Sequence, residues 1–111
     1  MHTLVETPRF ISDRKAAGVS QTEYEDMLAT IAADPDAGAR IKGSGGARKL
    51  RIEGKGKGKS GGYRVVTYYM HDAAPVFLLA LYSKGDRATL SAAEVNDLKE
   101  TTAAIAKEYG T

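Results

Sequence analysis

The chain is expected to fold as α+β, with an N-terminal strand and helical hairpin packed on a small antiparallel meander sheet, plus a C-terminal helix. Three observations lead there. Two capping boxes, Ser20-Gln21-Thr22-Glu23 and Ser91-Ala92-Ala93-Glu94, each open a stretch with helical apolar spacing. Between them lie three strand-like stretches with no helical pattern separating them, which favours antiparallel neighbours. The last of these, residues 76–82, is the longest apolar run in the chain, as expected of a strand buried on both faces.

Taken in order, Leu4-Val5-Glu6-Thr7 reads as a first strand ending at Pro8. Residues 10–17 make two helical turns, with Gly18 placed to cap their C-terminus. In the second helix Tyr24, Met27, Leu28 and Ile31 share one face, while Glu23, Glu25 and Asp26 are expected on a solvated one. Asp34-Pro35-Asp36 ends it. In Lys49-Leu50-Arg51-Ile52 the apolar pair points one way and the cations the other. Residues 64–70 are β-branched and aromatic, and His71-Asp72-Ala73-Ala74-Pro75 forms the hairpin turn before residues 76–82. Val95, Leu98, Thr102, Ile105 and Tyr109 line one face of the last helix, which stops at Gly110.

The 111 residues suit one small domain, 1–111, with no room for a second lobe. There is no cysteine, hence no disulfide framework, thiol nucleophile or thiolate metal site. No apolar run approaches the ~20 residues of a membrane span. Met1-His2-Thr3-Leu4 lacks the regions of a signal peptide, so a soluble cytoplasmic domain is expected. The net charge of +2 is unevenly spread: residues 42–64 hold eight Lys/Arg against Glu53 alone, and eight of the twelve glycines. The remainder is mildly acidic. A basic, Gly/Lys-rich loop at residues 53–62 on such a body suits a polyanion, because clustered cations displace phosphate counterions.

Most catalytic motifs fail. Gly54-Lys55-Gly56-Lys57-Gly58-Lys59-Ser60 ends like a nucleotide-binding loop, but only three residues separate Gly54 from Gly58, and position 53 is Glu. A strand follows where that motif needs a helix. His2 and His71 are the only histidines and have no carboxylate at helical ligand spacing, so no metal site is expected. No nucleophile elbow is present. What remains is cations on strands: Lys49 and Arg51 on one sheet face, Arg64 opening the next strand, and Lys84 ending the last. In a meander these can converge beside Lys55, Lys57 and Lys59.

The series Gly46-Ala47-Arg48-Lys49-Leu50-Arg51-Ile52 and Gly56-Lys57-Gly58-Lys59-Ser60-Gly61-Gly62-Tyr63-Arg64-Val65-Val66-Thr67-Tyr68-Tyr69 resembles the central block of RelE/HigB-type toxins of bacterial toxin–antitoxin modules. Phe77-Leu78-Leu79-Ala80-Leu81-Tyr82-Ser83-Lys84 fits the same family, as do Glu6-Thr7-Pro8-Arg9-Phe10 and Ala33-Asp34-Pro35-Asp36-Ala37-Gly38. The resemblance spans nearly the whole chain and is nearest to the HigB-like branch, with its Gly/Lys-rich insertion before the arginine strand.

The resemblance implies a RelE-like fold that enters the ribosomal decoding site and cuts messenger RNA without metal or cofactor. In that chemistry a ribose 2′-hydroxyl attacks its own 3′-phosphate. It implies Arg64 as phosphate and transition-state ligand, Lys49 as base, Arg51 as charge stabiliser, and Lys84 at the leaving oxygen. Arg48, Lys55, Lys57 and Lys59 would hold RNA backbone. Some relatives carry a tyrosine aligned roughly with Leu90, where leucine transfers no proton, leaving Tyr82 or Tyr68 to substitute. The family also implies an antitoxin that covers this surface and carries the complex to operator DNA. Two other readings share these residues. ParE-type relatives act on DNA gyrase with this scaffold but typically lack the cation cluster, and a non-catalytic RNA- or ribosome-binding module would need the basic segment alone.

Overall fold

The computed structural model describes residues 2–53, 62–83 and 90–109. Its elements are β1 (Leu4–Glu6), α1 (Pro8–Ala16), α2 (Gln21–Ala33), β2 (Ala39–Arg40), β3 (Arg48–Ile52), β4 (Tyr63–Tyr68), β5 (Val76–Ser83) and α3 (Ala92–Tyr109). The expected antiparallel meander is β3-β4-β5, and two further strands extend it to a sheet of order β1-β5-β4-β3-β2. β1 pairs with β5 in parallel, so the sheet is mixed. β2 is only two residues long, an edge strand paired with Arg48 and Lys49, and Ala39-Arg40 carries no apolar alternation that could announce it.

The sheet is covered on both sides. Ile52, Tyr63, Val65, Val76, Leu78 and Leu81 pack with Phe10, Met27 and Ile31 of the helical hairpin. Val66, Tyr68, Phe77, Leu79, Ala80 and Tyr82 pack with Leu98 of α3 and with Ala47. A register shift at Val66/Thr67 skips Leu79, so Leu79 and Ala80 both join the α3 cluster. β5 is therefore buried along nearly its whole length, as its unbroken apolar run required.

Local chemistry sets the helix ends. Pro8 does not merely close β1; it is the first residue of α1, whose cap is Thr7. Gly18, at φ +70°, follows that helix. The Ser20–Glu23 capping box of α2 is complete, with bonds of 3.1 Å and 2.9 Å. Tyr24 donates to Glu6, Arg14 lies 3.8 Å from the same carboxylate, and the guanidinium sits 4.0 Å above the Tyr24 ring. The bond to Glu6, and then burial, raise the Tyr24 hydroxyl above its ordinary pKa. This cluster ties β1 to both helices of the hairpin.

Where β1 ends, α1 takes over the edge of β5. The Thr7 N–H donates to the Leu78 carbonyl at 3.1 Å, and Asp13 accepts from the Leu81 N–H at 3.0 Å. Asp13 also lies 3.5 Å from Arg9, which reaches Glu94 in the first turn of α3 at 3.1 Å. α3 is latched at its middle by the β2–β3 turn. Ser44 is fully buried, and its hydroxyl accepts from the Ala47 N–H at 3.0 Å. Its carbonyl accepts from the Thr102 hydroxyl at 2.8 Å. Gly45 has φ +81°, and an added Cβ would lie 2.3 Å from that hydroxyl.

Gly45→Ala should therefore cost about 2–4 kcal/mol of unfolding free energy in chemical denaturation. Gly18→Ala, where an added Cβ meets nothing within 4 Å, should cost only the left-handed backbone penalty of about 1 kcal/mol. Equal costs would contradict the latch.

Candidate nucleic-acid interface

Residues opposite one another across antiparallel strands share a sheet face, with Cβ atoms about 5 Å apart. Arg51 on β3 lies opposite Arg64 on β4, which lies opposite Tyr82 on β5. Lys49 follows one alternation back, opposite Val66 and then Ala80. Since Val66, Ala80 and Tyr82 belong to the cluster beneath α3, Lys49, Arg51 and Arg64 lie on that same face. The structure thus brings together four of the five expected catalytic residues in two adjacent rows. The fifth, Lys84, lies outside the described residues, as do Lys55, Lys57 and Lys59. Ile52, Tyr63 and Ser83 are in register at the strand ends next to the Arg51–Arg64–Tyr82 row.

Exposure grades across the row. Arg51 is exposed, Lys49 and Arg64 are half-buried, and Tyr82 is buried at 5% relative exposure. Arg64 donates from Nη1 to the Tyr63 carbonyl at 3.4 Å. Among the described residues neither Lys49 nor Arg51 pairs with an acid; the ion pairs there join Arg9, Arg14 and Arg48 to carboxylates elsewhere. Arg51 also lines an open cleft of about 450 Å³ between α2 and β3, together with Asp26 and Glu53, neither of which comes within ion-pair distance of it. Two arginines directly opposite one another repel, and an anion set between them relieves that repulsion.

Arg48 stands apart. Alternation puts it on the hairpin face, opposite Thr67, where it donates to the Gly38 carbonyl at 3.2 Å and lies 4.0 Å from Asp36. Tyr68 shares the face of Arg64 but sits four residues along the strand, about 13 Å away by strand rise, opposite Phe77. Of the two substitute tyrosines, only Tyr82 is beside the cations.

Glu23 corrects the expectation of a solvated acid. It is 3% exposed, and its Oε1 accepts from the buried Tyr63 hydroxyl at 3.1 Å while capping α2. The signal was present in the spacing: Glu23, Met27 and Ile31 recur every four residues, which places Glu23 on the buried face. Glu25 and Asp26 are exposed as expected. The histidines lie toward the opposite end of the sheet, with His2 edge-on to Tyr69 and His71 against the Tyr109 carbonyl. Among the described residues no group of three His, Cys, Asp or Glu could hold a metal, and no helix is long and apolar enough to cross a membrane.

The model of a toxin family, the RelE toxin of the RelE/RelB toxin–antitoxin system, matches residues 15–110. The chain belongs to this RelE family. Its mixed sheet and three helices, the last of them C-terminal, are consistent with the RelE-like fold. The matched span includes α2, α3 and β2 to β5, and hence every cation of the candidate site. The protein is a toxin of a toxin–antitoxin pair, and its protein partner is an antitoxin.

Relief of the Arg51–Arg64 repulsion can be measured directly. Arg51→Gln should raise unfolding free energy by about 0.2–1 kcal/mol in urea titrations, while weakening binding to a single-stranded RNA oligonucleotide at low salt. A destabilised variant with unchanged RNA affinity would mean that Arg51 serves the fold.

Proposed function

We propose that this protein is a ribosome-dependent mRNA endonuclease of the HigB-like branch, which stops translation by cutting message in the decoding site. The observation that carries the reading is the register that sets Lys49, Arg51 and Arg64 side by side on strands next to Tyr82. The Gly/Lys-rich segment at residues 53–62 supports the branch. Action at the ribosome places the protein in the cytoplasm, and the whole chain, 1–111, serves as a single toxin domain.

In the reaction, the 2′-oxygen of a ribose forms a bond to the phosphorus of its 3′-phosphodiester, and the bond from phosphorus to the 5′-oxygen of the next nucleotide breaks. The products are a 2′,3′-cyclic phosphate and a free 5′-hydroxyl. One proton leaves the 2′-hydroxyl and one reaches the 5′-oxygen. Lys49, one alternation from Arg51 on the same face, takes the first. Arg64 and Arg51 meet the charge that builds on the phosphorane oxygens, and Lys84 serves the departing oxygen. Tyr82, beside Arg64, supplies the hydroxyl that Leu90 lacks for proton transfer. Preorganised donors of this kind contribute about 10²–10³ in rate each, because strands do not have to reorganise as charge develops.

Lys55, Lys57 and Lys59 hold the RNA backbone, and Arg48 contributes at most from the other face. The antitoxin neutralises the cation row and carries the toxin to operator DNA. Primer extension on total message after brief induction tests the function. Wild type should produce cuts confined to translated regions, and Arg64→Ala should lower them by about 10²–10³. Growth arrest with intact message would overturn the nuclease and favour a gyrase inhibitor or a non-cleaving ribosome binder.

A further inference from the structure

The two capping boxes differ in a way that capping does not require. In the second, Glu94 accepts from the Ser91 N–H at 2.9 Å on the exposed surface. In the first, Glu23 is 3% exposed beneath the sheet, and the oxygen that caps Ser20 also accepts from Tyr63, itself 1% exposed. Burying a carboxylate is costly unless donors meet it, and here the Ser20 N–H and the Tyr63 hydroxyl both do, the second as a tie to β4. The apolar contacts of Met27 and Ile31 already hold α2 to the sheet.

What the tie adds is the placement of one peptide. Tyr63 is the first residue of β4, and its side chain faces the hairpin while that of Arg64 faces α3. Between them lies the Tyr63 carbonyl, which accepts from the Arg64 guanidinium at 3.4 Å. Glu23 thus meets the tyrosine hydroxyl at one end of the ring, and the peptide at the other end carries the carbonyl that meets the guanidinium on the opposite face.

We propose that Glu23 and Tyr63 form a positioning relay that aims the Arg64 guanidinium at the reacting phosphate. The relay rests on the reading of Arg64 as a phosphorane ligand. Its effect falls on the cleavage step, where a small misplacement of a donor is costly, and leaves ribosome docking to the other cations.

A double-mutant cycle on programmed ribosomes, paired with nitrogen-15 NMR of the Arg64 side chain, tests it. Tyr63→Phe keeps the ring and removes only the hydroxyl. It should slow single-turnover cleavage about tenfold, with ribosome affinity changed by less than about twofold. In an Arg64→Ala background the same substitution should have almost no further effect, since the group it positions is gone. The Arg64 Nε–H resonance should shift in both Tyr63→Phe and Glu23→Ala. Multiplying defects in the cycle, or an Arg64 resonance unmoved by Tyr63→Phe, would overturn the relay. If wild type cleaves nothing, the nuclease reading fails and the resonance alone decides the relay. If Glu23→Ala does not fold, Tyr63→Phe carries the result.

Discussion

A strand that is apolar on both faces has to be covered on both, and β5 imposes that requirement on the whole molecule. Val76, Leu78 and Leu81 need the α1–α2 hairpin, while Phe77, Leu79, Ala80 and Tyr82 need α3. Burial of each large apolar side chain contributes about 1.5–3 kcal/mol, so neither cover is optional. Because β1 is short, Thr7 and Asp13 continue the hydrogen bonding along the edge of β5 beyond it, and Asp13 extends through Arg9 to Glu94. Both covers are thus tied to the same strand and, through one ion-pair chain, to each other.

That arrangement leaves one part of the sheet to serve another purpose. α3 closes over Tyr82 and Ala80, while Lys49, Arg51 and Arg64 continue the same face toward the β3 edge. Like charges opposite one another oppose folding, and no acid of the described residues relieves Lys49 or Arg51. Cations held on strands need little reorganisation to meet an anion.

Much of this was legible in the amino-acid order because it depends on local periodicity. The capping boxes at Ser20 and Ser91, the alternation of Lys49 to Ile52 and the seven-residue run at 76–82 each specify an element and a face. The family resemblance extended that reading to function, and the family match over residues 15–110 agrees at the level of a RelE toxin. Long-range pairings were not legible. Nothing in Leu4-Val5-Glu6 announces a parallel partner seventy residues away, and Ala39-Arg40 has no pattern at all. Glu23 reads as solvated when its charge is weighed above its spacing, and sequence proximity to Lys49 hides that Arg48 occupies the other face of its strand. The Gly45–Thr102 contact needs the fold itself to be seen.

The central claim is that strand-borne cations drive attack by a ribose 2′-hydroxyl, and the chemistry of the cut ends tests it most directly. Message cleaved on programmed ribosomes by the purified toxin should carry a 2′,3′-cyclic phosphate and a 5′-hydroxyl, and a message with 2′-deoxyribose at the cut position should remain whole. A 5′-phosphate at the new end, or cleavage of the deoxy-substituted message, would require attack by water and would contradict the mechanism.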